Sequence, residues 1–397
     1  MKRPSMVNLL CVSVIALAAL LLQASAGALA AMPQQARLRC GFWRSMPSPN
    51  VGTSTNFLNG VAAISANNVW TVGSYGNGNG GFTLVEHWDG TQWRVVASPN
   101  VNGSPSEELL GVAAVAANNI WAVGDYYTVS HIQQSLIEHW DGKSWSIVSN
   151  PNVASLFSVL TAISAVSATD IWAVGNSSGL QGFQTLIEHW NGTSWSIVPN
   201  SGPQRGQLTG VTAIASNNVW AVGSGAGTNG IQTLIEHWNG TSWSVVSSSG
   251  PGLATNTLNG IAAVSANNIW AVGEDSNSVG PSATFAPLIE HWNGSSWSMV
   301  TSPLQGTSDF LNGIAAISTS DIWTVGDYRS GIDPMGPYFT LVEHWNGSAW
   351  SVVNSPSPAS LANDLVSVAR VPATRSVWAV GFTQNSGTSQ TFTVFHC

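Results

Sequence analysis

One tetrapeptide, Trp-Ala/Thr-Val-Gly, recurs seven times along the chain, beginning at Trp70, Trp121, Trp172, Trp220, Trp270, Trp323 and Trp378. Successive copies lie 48 to 55 residues apart. Such a period marks a repeat architecture, because one unit cannot bury its apolar face alone and must stack on its neighbours. A second motif, Glu-His-Trp, ends at Trp88, Trp140, Trp190, Trp238, Trp292 and Trp345. A third Trp follows five residues later, at Trp93, Trp145, Trp195, Trp243, Trp297 and Trp350. With Trp43, these positions account for all 20 tryptophans.

Each unit reads as four short strands. The first is small and apolar, as in residues 58–65, and a tight Ala-Asn-Asn turn leads to the second, residues 69–72. A variable loop follows, then the strand ending in Glu-His-Trp. Asp-Gly or Asn-Gly joins that strand to the fourth. This dipeptide is the strongest short hairpin signal, since both central residues of a type I′ turn need positive φ. No helical period competes after residue 30. Seven units of four antiparallel strands predict an all-β, seven-bladed β-propeller. The last unit stops after its third strand, residues 391–397, and residues 43–50 match 93–100 closely enough to supply the missing fourth. The propeller is therefore expected over 38–397, with 38–50 giving blade 7 its outer strand and closing the ring.

Charged residues make up 8% of the chain, against about 25% in an average domain. Only two lysines occur, Lys2 and Lys143, and no basic stripe exists to neutralise phosphates, so nucleic acid is excluded as a partner. Residues 1–30 read as an export signal: Lys2 and Arg3, an apolar run over 7–22, then Ala28-Leu29-Ala30 as a cleavage site. An uncleaved anchor is the alternative, and the one membrane role considered. Residues 31–37 are a short linker, and the mature product is expected to be a secreted monomer. Cleavage takes Cys11 with the leader and leaves Cys40 and Cys397, an even pair in an oxidising setting. Aligned by the histidine, Cys397 replaces the Trp of Glu-His-Trp, while Cys40, three residues before Trp43, takes the Gly of the Asn-Gly turn. The two face each other where the hairpin is broken, and a disulfide is predicted there.

The run Val-Trp-Ala-Val-Gly, a loop, then Leu-Ile-Glu-His-Trp-Asn-Gly-Thr-Ser-Trp-Ser-Val-Val resembles the kelch repeat of galactose-oxidase-type propellers. The resemblance covers all seven units. It departs at one place: kelch units carry Gly-Gly after the second strand, and here a single Gly (Gly73, Gly124, Gly175) is followed by varied residues. Trp-Asn-Gly-Thr-Ser-Trp is also similar to the Asp-box turn of sialidase-like propellers. The copper site that the first resemblance implies needs a Tyr joined to a Cys, yet both mature cysteines sit at the seam, away from the tyrosines. A sialidase needs an arginine cluster, and the loop face offers only Arg205 and Arg329. No catalytic residue, metal site or cofactor is assigned.

Seven of the eight histidines (His87, His139, His189, His237, His291, His344 and His396) align on one repeat position, six of them after a Glu. Neighbouring strand residues point to opposite faces, so Glu86 and His87 cannot ligate one metal together. Burial and hydrogen bonding between blades is the reading preferred for both. Asn191, Asn239, Asn293 and Asn346 fit the glycosylation sequon, but Asp89 and Asp141 at the same position favour a turn role. What varies between units is the loop after the second strand. It carries every Tyr, including Tyr75 and Tyr338, with the odd histidine His131 and the acid Asp333. Asp125, Tyr126, Tyr127, Glu274, Asp275, Asp327, Tyr328 and Arg329 are the candidate ligand-binding residues, on long loops over a rigid scaffold. The expected function is an exported binding or scaffold module that recognises a glycan or protein. A carbohydrate-active enzyme using loop carboxylates is the alternative.

Overall fold

A computed structural model describes residues 40–397, apart from 79, 152–156, 180–181, 204, 228–229, 252–253, 277, 279–282 and 332–335. The expected leader (1–30), the linker (31–37) and Asp333 lie outside the described residues. Among those described there are 28 strands and no helix, so none is long and apolar enough to cross a membrane. After β1 (Arg44–Met46), the first unit comprises β2 (Thr55–Ser65), β3 (Asn68–Gly76), β4 (Gly81–Trp88) and β5 (Trp93–Val95), joined antiparallel in that order. Five like units follow, called blades 2 to 6. Blade 7 has Ala362–Arg370, Val377–Gln384 and Ser389–His396, with β1 paired antiparallel to the last of these. This is a β-propeller.

The inner strand of each blade carries the same bulge. In β2 the register slips between Leu58, opposite Gly73, and Gly60, opposite Val72. The slip pushes the Phe57 carbonyl onto Gly73, where an added Cβ would lie 1.9 Å from that oxygen. The other six glycines of the tetrapeptide meet the same contact at 2.0 Å. That is why the motif ends in Gly and why one is enough. Tryptophan joins the blades. Trp70 of blade 1 packs on Trp140 and Trp145 of blade 2 at ring separations of 5.0 and 5.8 Å, the second edge-on. Trp378 of blade 7 meets Trp88 and Trp93 of blade 1 in the same way, at 4.9 and 5.1 Å. Each such cluster places about 150–250 Å2 of buried surface per indole between blades.

The Asn or Asp opening each second strand of blades 1 to 6 ties the blade's turn together. Asn68 Oδ1 accepts from Trp70 Nε1 and from His87 Nε2, both at 2.9 Å, while His87 lies on the Trp70 ring at 4.4 Å. The histidine bond therefore stays inside its own blade, and it is the glutamate that crosses. Ser98, leaving blade 1, donates to Glu138 of blade 2, and Asn150 reaches Glu188 at 3.2 Å. In blade 3, His189 donates to Asp170 at 2.9 Å. Replacing His189 by Ala removes that bond and the stacked ring, and should cost about 1–3 kcal/mol in denaturant unfolding. An unchanged midpoint would show that the bond contributes nothing.

The last strand corrects the alignment by one residue. Trp378 stands opposite Phe395, where Trp70 stands opposite His87, and the rings lie 4.8 Å apart. His396 thus occupies the Trp position of Glu-His-Trp, packing on Trp323 of blade 6 at 4.6 Å. It is not a seventh copy of the repeat histidine. Cys397 then falls at the register of Asp89 and Cys40 at that of Gly90, adjacent residues of the hairpin turn. Cys40 and Cys397 are disulfide-bonded, as expected, so a disulfide stands where the other blades have a peptide bond.

Candidate functional site at the channel mouth

The seven inner strands line a central channel of about 540 Å3, walled by Val61, Ile163, Val211, Ile261, Ile314 and Val368. The second residue of Leu-Asn-Gly crosses to the next blade. Asn59 donates to Leu109 O at 2.9 Å, Thr161 to Leu208 O at 2.7 Å, Asn259 to Leu311 O at 3.0 Å and Asn312 to Leu365 O at 3.2 Å. Thr209 does the same to Leu258 O. The glycine that follows lets the next inner strand approach: a Cβ on Gly313 would lie 3.1 Å from Ser367 Cα.

Where the channel opens on the long-loop face, blades 5 to 7 form a side pocket of about 270 Å3. Three acids line it. Glu274 follows the tetrapeptide glycine of blade 5, Asp327 that of blade 6, and Asp364 precedes the bulge of blade 7. Asn259 donates to Glu274 at 2.6 Å, as does Thr257, and Asn312 donates to Asp364 at 3.0 Å. Asp327 is 9% exposed and accepts no hydrogen bond among the described residues. Burial, then the nearby Asp364 carboxylate, holds its pKa well above the usual range, against the pull of Arg329. Burial raises Asp364 and Glu274 as well. The Arg329 guanidinium sits 6.0 Å from the Phe310 ring and 5.7 Å from that of Tyr338, which form the remaining wall.

Of the residues singled out from sequence, Glu274, Asp327 and Arg329 come together here. Asp125 and Tyr127 line a separate pocket of about 170 Å3 between blades 1 and 2, with Glu107 and Glu108. Asp125 is pushed up to about 7, chiefly by burial. Asp275 lies on the second strand of blade 5 opposite Asn256, outside both pockets. Tyr126 and Tyr328 do not stand free on loops. Each packs on an inter-blade core cluster, and Tyr328 also meets Phe339 at 5.5 Å. Phe310, Asn259, Asn312 and Asp364 were missed, being hidden in inner strands that read as core. The visible signal was Asp364, a charge in a strand whose pattern is otherwise small and apolar. No group of three His, Cys, Asp or Glu among the described residues is placed to hold a metal ion.

No protein-family model matches the chain, and no curated protein matches it. Among solved structures it is similar to YCF48 bound to D1 peptide, at 14% identity and a TM-score of 0.53, covering 90% of this chain and 98% of that one. It is also similar to the GH74 enzyme of Niastella koreensis, at 13% identity and a TM-score of 0.54. That match covers 85% of this chain but only 54% of the enzyme, so this chain corresponds to about half of it. Both likenesses concern the fold, and together with the strand order they make the chain a β-propeller.

Proposed function

We propose that this chain is an exported recognition module, built of kelch-like blades closed into a ring by its two termini. Its ligand binds at the acid-lined pocket of the channel mouth. The observation that carries this is Asp327, a largely buried acid that no described residue hydrogen-bonds, in a pocket open to the long-loop face. A buried polar group left unpaired is costly unless function keeps it. The neighbour YCF48, bound to a peptide, supports a protein ligand. Peptide and glycan libraries screened against the wild type and Asp327→Asn test the reading. Hits should weaken at least tenfold in the variant, whose thermal midpoint should hold because no hydrogen bond is lost. Hits bound equally by both proteins would move the site elsewhere.

One observation favours a second reading, that of a glycoside hydrolase. Asp327 and Asp364 are adjacent carboxyls with raised pKa, so one can stay protonated as an acid while the other acts as base. Turnover of chromogenic glycosides that is lost in Asp327→Asn would establish it.

A further inference from the structure

We infer that the mouth pocket takes one cationic side chain, an ammonium or guanidinium, presented by a peptide with apolar residues beside it. The inference rests on the recognition reading above and names the ligand's chemistry. Counting donors carries it. Asn259 spends both amide hydrogens, on Glu274 and on Leu311 O, and Asn312 spends both on Asp364 and Leu365 O. The Thr257 hydroxyl is donated to Glu274. What the pocket turns toward a ligand is mainly carboxyl oxygen, with the Arg329 guanidinium and the Tyr338 hydroxyl as its other polar groups, and Asp327, 9% exposed, accepts nothing from the described residues. A sugar ring or a neutral amide brings acceptors as well as donors, and most of those acceptors would face the three acids. An ammonium or guanidinium is all donor.

Charge and shape agree. Three acids stand against one guanidinium, Arg329, itself held beside the Phe310 and Tyr338 rings, and a bound cation favours their ionised forms. The chain carries a net charge of −8, so its long-range field also draws cations. A volume of about 270 Å3 suits one long side chain rather than an oligosaccharide. The pocket shares Asn259, Asn312 and Asp364 with the central channel, whose walls are aliphatic. A side chain seated among the acids therefore leaves its neighbours over an apolar surface, which is why a peptide fits better than a free amine.

Isothermal titration with acetyl-Leu-Lys-Leu-amide, acetyl-Leu-Arg-Leu-amide and acetyl-Leu-Gln-Leu-amide tests the inference, with spermidine and glucosamine oligomers as the other cation sources. A lysine or arginine peptide should bind at least tenfold more tightly than the glutamine peptide, and Asp327→Asn should remove that preference. Equal binding of the three peptides, tighter binding of spermidine or glucosamine oligomers, or no cationic peptide bound at millimolar concentration overturns it. If neutral peptides bind the wild type and not the variant, the cation falls and the recognition site stands. Binding that ignores Asp327 removes both.

Discussion

Replacing Cys397 by Ser should lower the unfolding free energy by several kcal/mol, with about 5–6 kcal/mol as the loop-entropy ceiling for a bridge closing nearly the whole chain. The bridge adds to a short strand that is otherwise held by its three ladder pairs, one indole and hydrogen bonds such as Thr393 Oγ1 to Met46 O and Thr391 N to Asn50 Oδ1. β1 has three residues, paired at Arg44–Phe395, Ser45–Val394 and Met46–Thr393. Trp43, 4% exposed, is its one large anchor, packed edge-on against Trp323 at 5.5 Å. In the other blades the chain itself keeps the fourth strand beside the third. Here the bridge supplies that link, and without it β1 can leave and expose the edge of Ser389–His396. Chemical unfolding of the wild type, Cys397→Ser and the double Cys-to-Ser protein, with Trp fluorescence as the probe, measures the loss. Matching midpoints in all three would show that the bridge does not hold the blade.

The thermal midpoint should fall by on the order of 10 °C as pH rises from 5 to 9. The cause is the glutamate of Glu-His-Trp, which is fully buried in every blade that has it. Burial raises Glu86 and Glu138 to about 8, and Glu188, Glu236 and Glu343 to about 7. A carboxyl with a raised folded pKa holds its proton in the native protein at a pH where the unfolded chain has lost it. The resulting stability is full below the ordinary value of 4.5 and is lost as pH climbs through 7 to 8. Every tenfold gain in proton affinity on folding is worth about 1.4 kcal/mol, and several such groups act together. Glu86 is the extreme case, since Ser48, in the register of Ser98, bonds to Thr391 at 2.8 Å and no donor among the described residues reaches Glu86. Scanning calorimetry from pH 5 to 9 decides the matter, and Glu86→Gln should flatten the slope. A midpoint that stays level or rises would refute it.

Most of this architecture was legible because each unit repeats the same physical demands. A turn glycine at positive φ, an indole at each blade contact and a glycine under the bulge recur in fixed order. The Asp or Asn before the turn glycine is not at positive φ, so the hairpin is a four-residue loop closed by an Asp89 N to Gln92 O bond rather than the expected type I′ turn. The clasp was legible too, since an even pair of cysteines fell at the one broken hairpin. The one-residue slip was not. The sequence ends in Phe-His-Cys, and matching His396 to the other histidines by identity overlooked that Phe395 can stack on Trp378 as a histidine does. The strands also run further than their apolar cores suggest. β3 extends to Gly76, and the equivalent strands of later blades carry Tyr126 and Tyr328 off the loops and onto strand ends. Half of the mouth pocket comes from inner strands, where Phe310 and Asn312 look like core. Its geometry depends on which residues the bulge turns into the channel, and that is invisible until the blades are side by side.

The hydrogen bonds that step from one inner strand to the next are missing at two places among the described residues. Leu110 stands where blade 2 would reach blade 3, and Val366 where blade 7 would reach blade 1, and neither side chain has a group to donate. Other groups span these two steps: Ser135 N donates to Ser158 Oγ between blades 2 and 3, and Asn56 Nδ2 to Ser389 O between blades 1 and 7. The mouth pocket draws its three acids from blades 5 to 7, whose inner strands are joined to one another by such bonds.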